Sequence, residues 1–173
     1  HFRHSQREKW TDVTGFDALE LFNNLDASQS SFSRATCLTE RGREESKLIN
    51  EIFELVGVKI SKVITSPSCR ARQTSLLAFG REGKIENSLL HRTAIMQSQH
   101  REFAIKLREV IDEIKVPIGS NVVLSGHGGT LGTDKDIVID VLEGELGTYD
   151  DVDDRDEGGF IVLEKVNGKV IAR

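Results

Sequence analysis

The sequence predicts an α/β fold: a single three-layer α/β/α domain with a mostly parallel central sheet and an antiparallel hairpin at the C-terminus. Short apolar strands alternate with amphipathic helices along the chain, which is the pattern of parallel sheets. Two apolar runs near the end flank Asn167-Gly168, a strong signal for a two-residue hairpin. A chain of 173 residues with 38% hydrophobic side chains is long enough for one buried core. We therefore expect residues 1–173 to form one domain.

The first strand is visible only at its end, at Phe2, so its upstream part, and with it a targeting peptide, could precede the sequence. Ser5 to Thr36 is a long polar connection with sparse apolar residues, of which residues 16–25 predict a short helix. A loop of this length beside a site is often a functional cover. Plain surface packing is the alternative.

The next elements are a helix, a strand and a second helix. Thr39 is a predicted N-cap, and Gly57 is predicted to end the helix that follows. Residues 62–66 predict a short strand, and Pro67 suits the start of the next helix. The first helix should lie on the sheet through one apolar stripe made of Leu48, Ile49, Ile52, Phe53 and Val56.

The second half predicts two more helices and three strands. The pattern from 103 to 114 predicts an amphipathic helix that ends near Pro117. Residues 121–124 are an unbroken apolar run, as in a buried strand. The later elements are a helix over 137–142, an acid-rich solvated loop over 150–157, and hairpin strands over 160–166 and 169–172.

Three predicted strands end in arginine or histidine. Arg3 and His4 follow the first strand, the stretch 66–74 follows the second, and the stretch 125–130 follows the third. Because the carboxyl ends of parallel strands meet at one edge of a sheet, we expect these three loops to converge on one ligand.

Each of the two later stretches contains a side chain that suits an anion. Arg70 falls in the first turn of its helix, where exposed N–H groups favour negative charge. Arg72 is two residues further on and should face elsewhere. His127 lies in a glycine-rich turn whose N–H groups a ligand could approach closely.

These stretches also carry a resemblance. The chain resembles the histidine phosphatase superfamily, the phosphoglycerate mutase-like group, in three motifs that occur in the order of that family. The first is Arg3-His4-Ser5, the second is the region 38–44 running on to 66–74, and the third is the turn 124–129. The similarity extends to about residue 132. Ser5 stands where the family usually has glycine.

Phosphoryl transfer to histidine is the chemistry that fits these residues. A neutral imidazole nitrogen can attack phosphorus and later leave, and two arginines would keep the imidazole neutral while they bind phosphate oxygens. The resemblance implies that His4 is the nucleophile and becomes phosphohistidine, and that Arg3, Arg70 and His127 form the phosphate pocket. If protonated, His127 would add a further positive donor.

We also expect Ser5, Gly128 and Glu86 to take part in substrate binding. Glu86 is a possible proton donor by type, with an ordinary surface acid as the alternative. The resemblance would place the acid of mutase-like members near His91, and the branch that has His-Asp is not matched because Gly128 follows His127. The lack of a clear acid favours substrates whose leaving groups depart easily. In this respect the chain resembles the small phosphohistidine phosphatases.

The predicted function is therefore a metal-independent phosphatase for a small phosphorylated substrate or a phosphoprotein. Phosphoglycerate mutase-like phosphoryl transfer and a non-catalytic phospho-ligand binding relative remain open. No cofactor is expected, and no metal, because the five histidines show no zinc spacing and arginines would oppose a cation.

The net charge and the composition limit the kinds of partner that the chain is expected to have. The net charge of −5 suggests neither nucleic acid nor an anionic membrane, and no stretch approaches the length of a membrane span. Cys37 and Cys69 are too few for a disulfide framework and do not fix the compartment. The oligomeric state is left open.

Overall fold

The computed structural model has an α/β fold built on a four-stranded parallel sheet. It describes residues 1–7, 37–91, 94–128, 130, 157–167 and 169–172. The strands are β1 (Phe2–Arg3), β2 (Ile60–Thr65), β3 (Lys84–Ile85) and β4 (Asn121–Gly126), in the spatial order β1-β4-β2-β3. The helices of the described ranges are α1 (Glu40–Leu55), α2 (Cys69–Phe79) and α3 (His100–Glu113), with 3₁₀ turns at Asn87–Leu89 and Gln97–Gln99.

The helix boundaries follow local signals in the sequence. Thr39 is the N-cap of α1, as predicted, and its hydroxyl accepts a hydrogen bond from the Gly42 N–H at 3.1 Å. Gly57 follows α1 with a φ of 72°, which suits glycine. Ser68 is the N-cap of α2, so that helix begins two residues after Pro67.

The two faces of the sheet bury separate apolar clusters. On β2, the adjacent residues Val63 and Ile64 point to opposite faces and belong to different clusters. The cluster of Ile64 includes Leu107 and Ile111 of α3. The cluster of Val63 contains Phe2, Ala78, Phe79 and Val123. Residues of α3 therefore belong to one cluster, and residues of α2 belong to the other.

The predicted apolar stripe of α1 is only partly buried. Ile49 and Phe53 pack against the cluster of Val63, but Leu48 and Ile52 are 54% and 46% exposed. The buried residues of this helix are instead the small residues Gly42 and Ser46. Hydrogen bonds and close backbone contacts with the chain after β1 turn this small-residue face inward, so the prediction that the whole stripe lies on the sheet was wrong.

Near the C-terminus, β5 (Leu163–Val166) and β6 (Lys169–Ala172) pair antiparallel around Asn167, which has a φ of 52°. In the described ranges they form their own two-stranded sheet. Just upstream, residues 158–161 run antiparallel beside β1, where the Arg3 N–H donates to the Gly159 carbonyl at 2.9 Å. The helices predicted over 16–25 and 137–142 lie outside the described residues.

Candidate functional site

The first, second and third motif stretches meet at one edge of the sheet. Strands β1 and β2 both pair with β4, and Ser125 of β4 lies opposite Phe2 on one side and Thr65 on the other. The three strands therefore end at the same level. The residues that follow them share one site, as the strand-end argument predicts.

His127 contacts side chains from both other stretches. Its ring centroid lies 5.2 Å from that of His4, and its Nδ1 lies 3.2 Å from Arg70 Nη2. The Arg3 guanidinium lies beside the same turn, with Nη1 3.5 Å from the position that a Cβ on Gly128 would occupy. The structure thus brings together Arg3, His4, Arg70 and His127.

His4 is held with one ring nitrogen free of a proton. Its Nδ1 lies 2.8 Å from the Ser5 carbonyl oxygen, and a carbonyl can only accept a hydrogen bond. Nδ1 therefore carries the proton in the neutral ring, and Nε2 carries the lone pair. An imidazole with an unprotonated Nε2 is the form that can act as a nucleophile.

The surroundings favour this neutral form. Burial lowers the pKa of His4 well below its usual 6.5, the positive charge of Arg70 lowers it further, and Arg3 and Arg7 add to the effect. The hydrogen bond to the Ser5 carbonyl acts in the opposite direction but is outweighed. His4 is therefore neutral at pH 7.

His127 is also neutral, and its tautomer is fixed. Arg70 can only donate, so the Nδ1 that faces it accepts, and the proton of the ring lies on Nε2. Nε2 can then donate to the hydroxyl of Ser66 at 3.0 Å or of Ser68 at 3.2 Å. Burial, and then Arg70, lower the pKa of His127 well below 6.5. A protonated His127 is therefore not the form present here at neutral pH.

The loop that carries His4 is fixed to the N-terminus of α1. The Thr39 N–H donates to the Gln6 carbonyl at 3.2 Å, and a Cβ added to Gly42 would collide with that same carbonyl oxygen. Only glycine allows the two backbones to approach so closely. This contact gives the region 38–44 a structural role, which is to hold the loop after β1.

The same loop is joined to α2 by Thr74. Its hydroxyl accepts from the Ser5 N–H at 3.0 Å and donates to the Arg70 carbonyl at 2.9 Å. One side chain therefore connects the backbone beside His4 to the backbone of Arg70. Arg72 faces elsewhere, as predicted, with its Nε 3.9 Å from a Glu82 carboxylate oxygen.

The three predicted substrate-binding residues differ in their surroundings. Gly128 lies against Arg3. Ser5 is fully buried, and its hydroxyl is hydrogen-bonded to that of Ser46 at 2.9 Å. Ser5 is not among the described residues with positive φ, so its backbone conformation does not require glycine. The Glu86 carboxylate accepts from the N–H and the hydroxyl of Ser88, at 3.1 and 2.8 Å, and thereby caps the 3₁₀ turn.

Several neighbours were not singled out from the sequence. Ser66, Ser68 and Thr74 belong to the second motif stretch, but only the structure shows which atoms they contact. Arg7 lowers the pKa of both site histidines. Cys37 and Cys69 form a disulfide at the first residue of α2, directly before Arg70.

A large apolar groove, about 720 Å³ in volume, lies elsewhere. It is lined mainly by Val122, Val123, Ile161 and neighbouring apolar side chains, and includes none of His4, Arg70 and His127.

In the ranges described above, no group of three His, Cys, Asp or Glu side chains could hold a metal ion. No helix of the described chain is long and apolar enough to cross a membrane.

Comparison with known proteins adds no family to this description. No family model matches the chain, and no curated protein matches it.

Proposed function

We propose that the protein is a metal-independent phosphatase of the histidine phosphatase type, which hydrolyses its substrate through a phosphohistidine on His4. The observation that carries the proposal is the state of His4: a neutral ring, held at Nδ1 by the Ser5 carbonyl, in a site with the Arg70 guanidinium. We propose that the fold is the three-layer α/β/α sandwich of that family, since apolar clusters lie on both faces of the parallel sheet.

The proposed reaction has two displacements. In the first, His4 Nε2 attacks phosphorus, the bond to the leaving oxygen breaks, and the phosphoryl group is bound to His4. In the second, water attacks phosphorus, and His4 leaves as a neutral imidazole with inorganic phosphate as the product. The Ser5 carbonyl stabilises the intermediate because it holds the Nδ1 proton while Nε2 carries the phosphoryl group.

The arginines supply the electrostatic part. Guanidinium groups match phosphate oxygens with planar pairs of donors and keep their charge at any working pH. Arg70 is 1% exposed, so its charge acts in a site with little water and is poorly screened. These fixed positive charges take the place that a metal ion has in other phosphatases. The substrate class proposed is a small phosphorylated molecule or a phosphoprotein.

Hydrolysis of p-nitrophenyl phosphate in EDTA tests the proposal. Its leaving group needs no proton donor, so the wild-type protein should turn it over, and His4→Ala should lower kcat/KM by at least about a thousandfold because no other group replaces the nucleophile. Circular dichroism of both proteins controls for folding. Wild-type protein that binds vanadate but shows no turnover would instead support a phospho-ligand binding module, and equal turnover by both proteins would refute the role of His4.

A further inference from the structure

The polar backbone groups on either side of the His4 side chain are all hydrogen-bonded. The His4 N–H donates to the Gly126 carbonyl at 3.1 Å, and the Gly158 N–H donates to the His4 carbonyl at 2.9 Å. The next N–H, that of Ser5, donates to the Thr74 hydroxyl at 3.0 Å. The first two contacts join backbone to backbone, whereas the third depends on a side chain. Thr74 is therefore the contact that a substitution can remove.

The hydroxyl of Thr74 accepts one hydrogen bond and donates another. It accepts from the Ser5 N–H and gives its own proton to the Arg70 carbonyl at 2.9 Å. Ser5 and Thr74 are fully buried and Arg70 is 1% exposed, so bulk water does not compete for these bonds. One hydroxyl therefore sets the position of the backbone beside His4 relative to the backbone of Arg70.

This relative position matters for a displacement at phosphorus. In the proposed reaction Arg70 binds the phosphate and His4 attacks it, but the two residues come from different elements, the loop after β1 and the helix α2. The attacking and leaving atoms must lie in line with phosphorus. A displacement of about 1 Å between reacting groups can cost about a hundredfold in rate. A direct bond between the two elements should thus contribute to the rate.

We propose that Thr74 is a positioning residue for this reaction, because its hydroxyl fixes how His4 Nε2 meets a phosphate bound by Arg70. The inference rests on the proposed function. No bond to Thr74 forms or breaks in either displacement, so its role is purely geometric. Loss of the hydroxyl should lower the rate of phosphoryl transfer much more than the affinity for phosphate, since Arg3 and Arg70 both keep their guanidinium groups.

Ser75 provides a matched control in the same helix. It is fully buried, as Thr74 is, and its hydroxyl also donates to the carbonyl four residues earlier, that of Ala71, at 2.9 Å. Its other neighbour is the hydroxyl of Thr65 at 3.3 Å, which belongs to β2. Ser75→Ala therefore removes a buried hydroxyl of the same kind but leaves the contact between Thr74 and Ser5 intact.

Single-turnover kinetics and vanadate binding test the proposal together. Thr74→Val removes the hydroxyl, so formation of phosphohistidine from p-nitrophenyl phosphate should slow by about ten- to a hundredfold. The dissociation constant for vanadate should change much less. Thr74→Ser keeps a hydroxyl and should restore the rate, and Ser75→Ala should match wild type in both measurements. Circular dichroism reports on folding, and Thr74→Ala, with the same expectation, replaces the valine variant if that variant does not fold.

Three results would overturn the positioning role: an unchanged rate in Thr74→Val, an equal loss of rate in Ser75→Ala, or a loss of vanadate affinity as large as the loss of rate. These failures are distinct from failure of the proposed function. If wild type forms no phosphohistidine, the proposed function fails and this inference fails with it. If wild type forms phosphohistidine and Thr74→Val forms it equally fast, only the role of Thr74 is refuted.

Discussion

At the scale of single residues, the site depends on two buried histidines that are kept neutral. For His4 and His127, burial has the largest effect and Arg70 the next largest, and both lower the pKa. The neutral form gives His4 its lone pair and lets His127 accept from Arg70. The chemistry and the pH dependence of stability therefore have the same physical cause.

This cause predicts a loss of stability in mild acid. Below about pH 6.5, His4 and His127 take up protons in the unfolded chain but not in the folded protein, because their pKa is lowered on folding; the free energy of unfolding therefore falls by up to about 1.4 kcal/mol per pH unit for each of these two histidines. The fall continues until the pH reaches the lowered pKa of the folded state. Urea denaturation from pH 7 to pH 5 measures it.

Carboxylates titrate as well, so the informative quantity is the difference between wild type and variants. His4→Gln and His127→Gln should each make the pH dependence shallower, while His100→Gln serves as a comparison. Saturating phosphate should also flatten it in the wild type, since a bound anion favours the charged imidazoles. Identical pH dependence in wild type and both site variants would contradict the neutral assignment.

At the scale of elements, the pocket is held by the N-termini of α1 and α2. The contact between Gly42 and Gln6 fixes the loop after β1 to α1, and Thr74 fixes it to α2. The disulfide between Cys37 and Cys69 joins the segment before α1 to the first residue of α2. Both half-cystines are nearly inaccessible, at 3% and 5% exposure.

The disulfide predicts a dependence on reductant. It closes a loop with a sequence separation of 32 residues, so its loss should lower the free energy of unfolding by about 2–4 kcal/mol. Because Cys69 precedes Arg70, reduction should also weaken vanadate binding. Denaturation and vanadate titration with and without dithiothreitol measure both effects.

The double variant Cys37→Ser/Cys69→Ser is the control, and reductant should not affect it. If it unfolds like oxidised wild type, and if reduced wild type binds vanadate unchanged, the disulfide does not support the pocket. Full retention of stability with weaker binding would show a local effect on α2 alone.

At the scale of the whole molecule, an acidic protein carries a local cationic site. The net charge is −5, yet Arg3, Arg7 and Arg70 all act on His4. These three guanidinium groups act on the edge of the sheet where three strands end. This arrangement suits the phosphate group of the substrate that we propose.

The sequence predicted this edge because its signals are local. Apolar runs followed by Arg3-His4, Arg70 and His127 mark three strand ends, and parallel pairing then brings them together. Thr39 and Gly57 likewise mark the ends of α1 through their own backbone chemistry.

Other features depend on tertiary contacts that no local pattern contains. The apolar periodicity of α1 does not show that its small residues meet the loop after β1. Spacing along the chain does not show that Cys37 reaches Cys69. The tautomers of His4 and His127 follow only from which groups face each ring nitrogen.

The central claim is that His4, and not His127, carries the phosphoryl group. Rapid quench with labelled substrate should give an acid-labile, base-stable phosphoenzyme in wild type and none in His4→Ala. Arg70→Ala should slow its formation by about a hundred- to a thousandfold but leave some intermediate, because the arginine stabilises charge and does not form the bond. Arg72→Ala, in the same helix but facing Glu82, is the matched control and should behave as wild type. Phosphohistidine that persists in His4→Ala and disappears in His127→Ala would contradict the account.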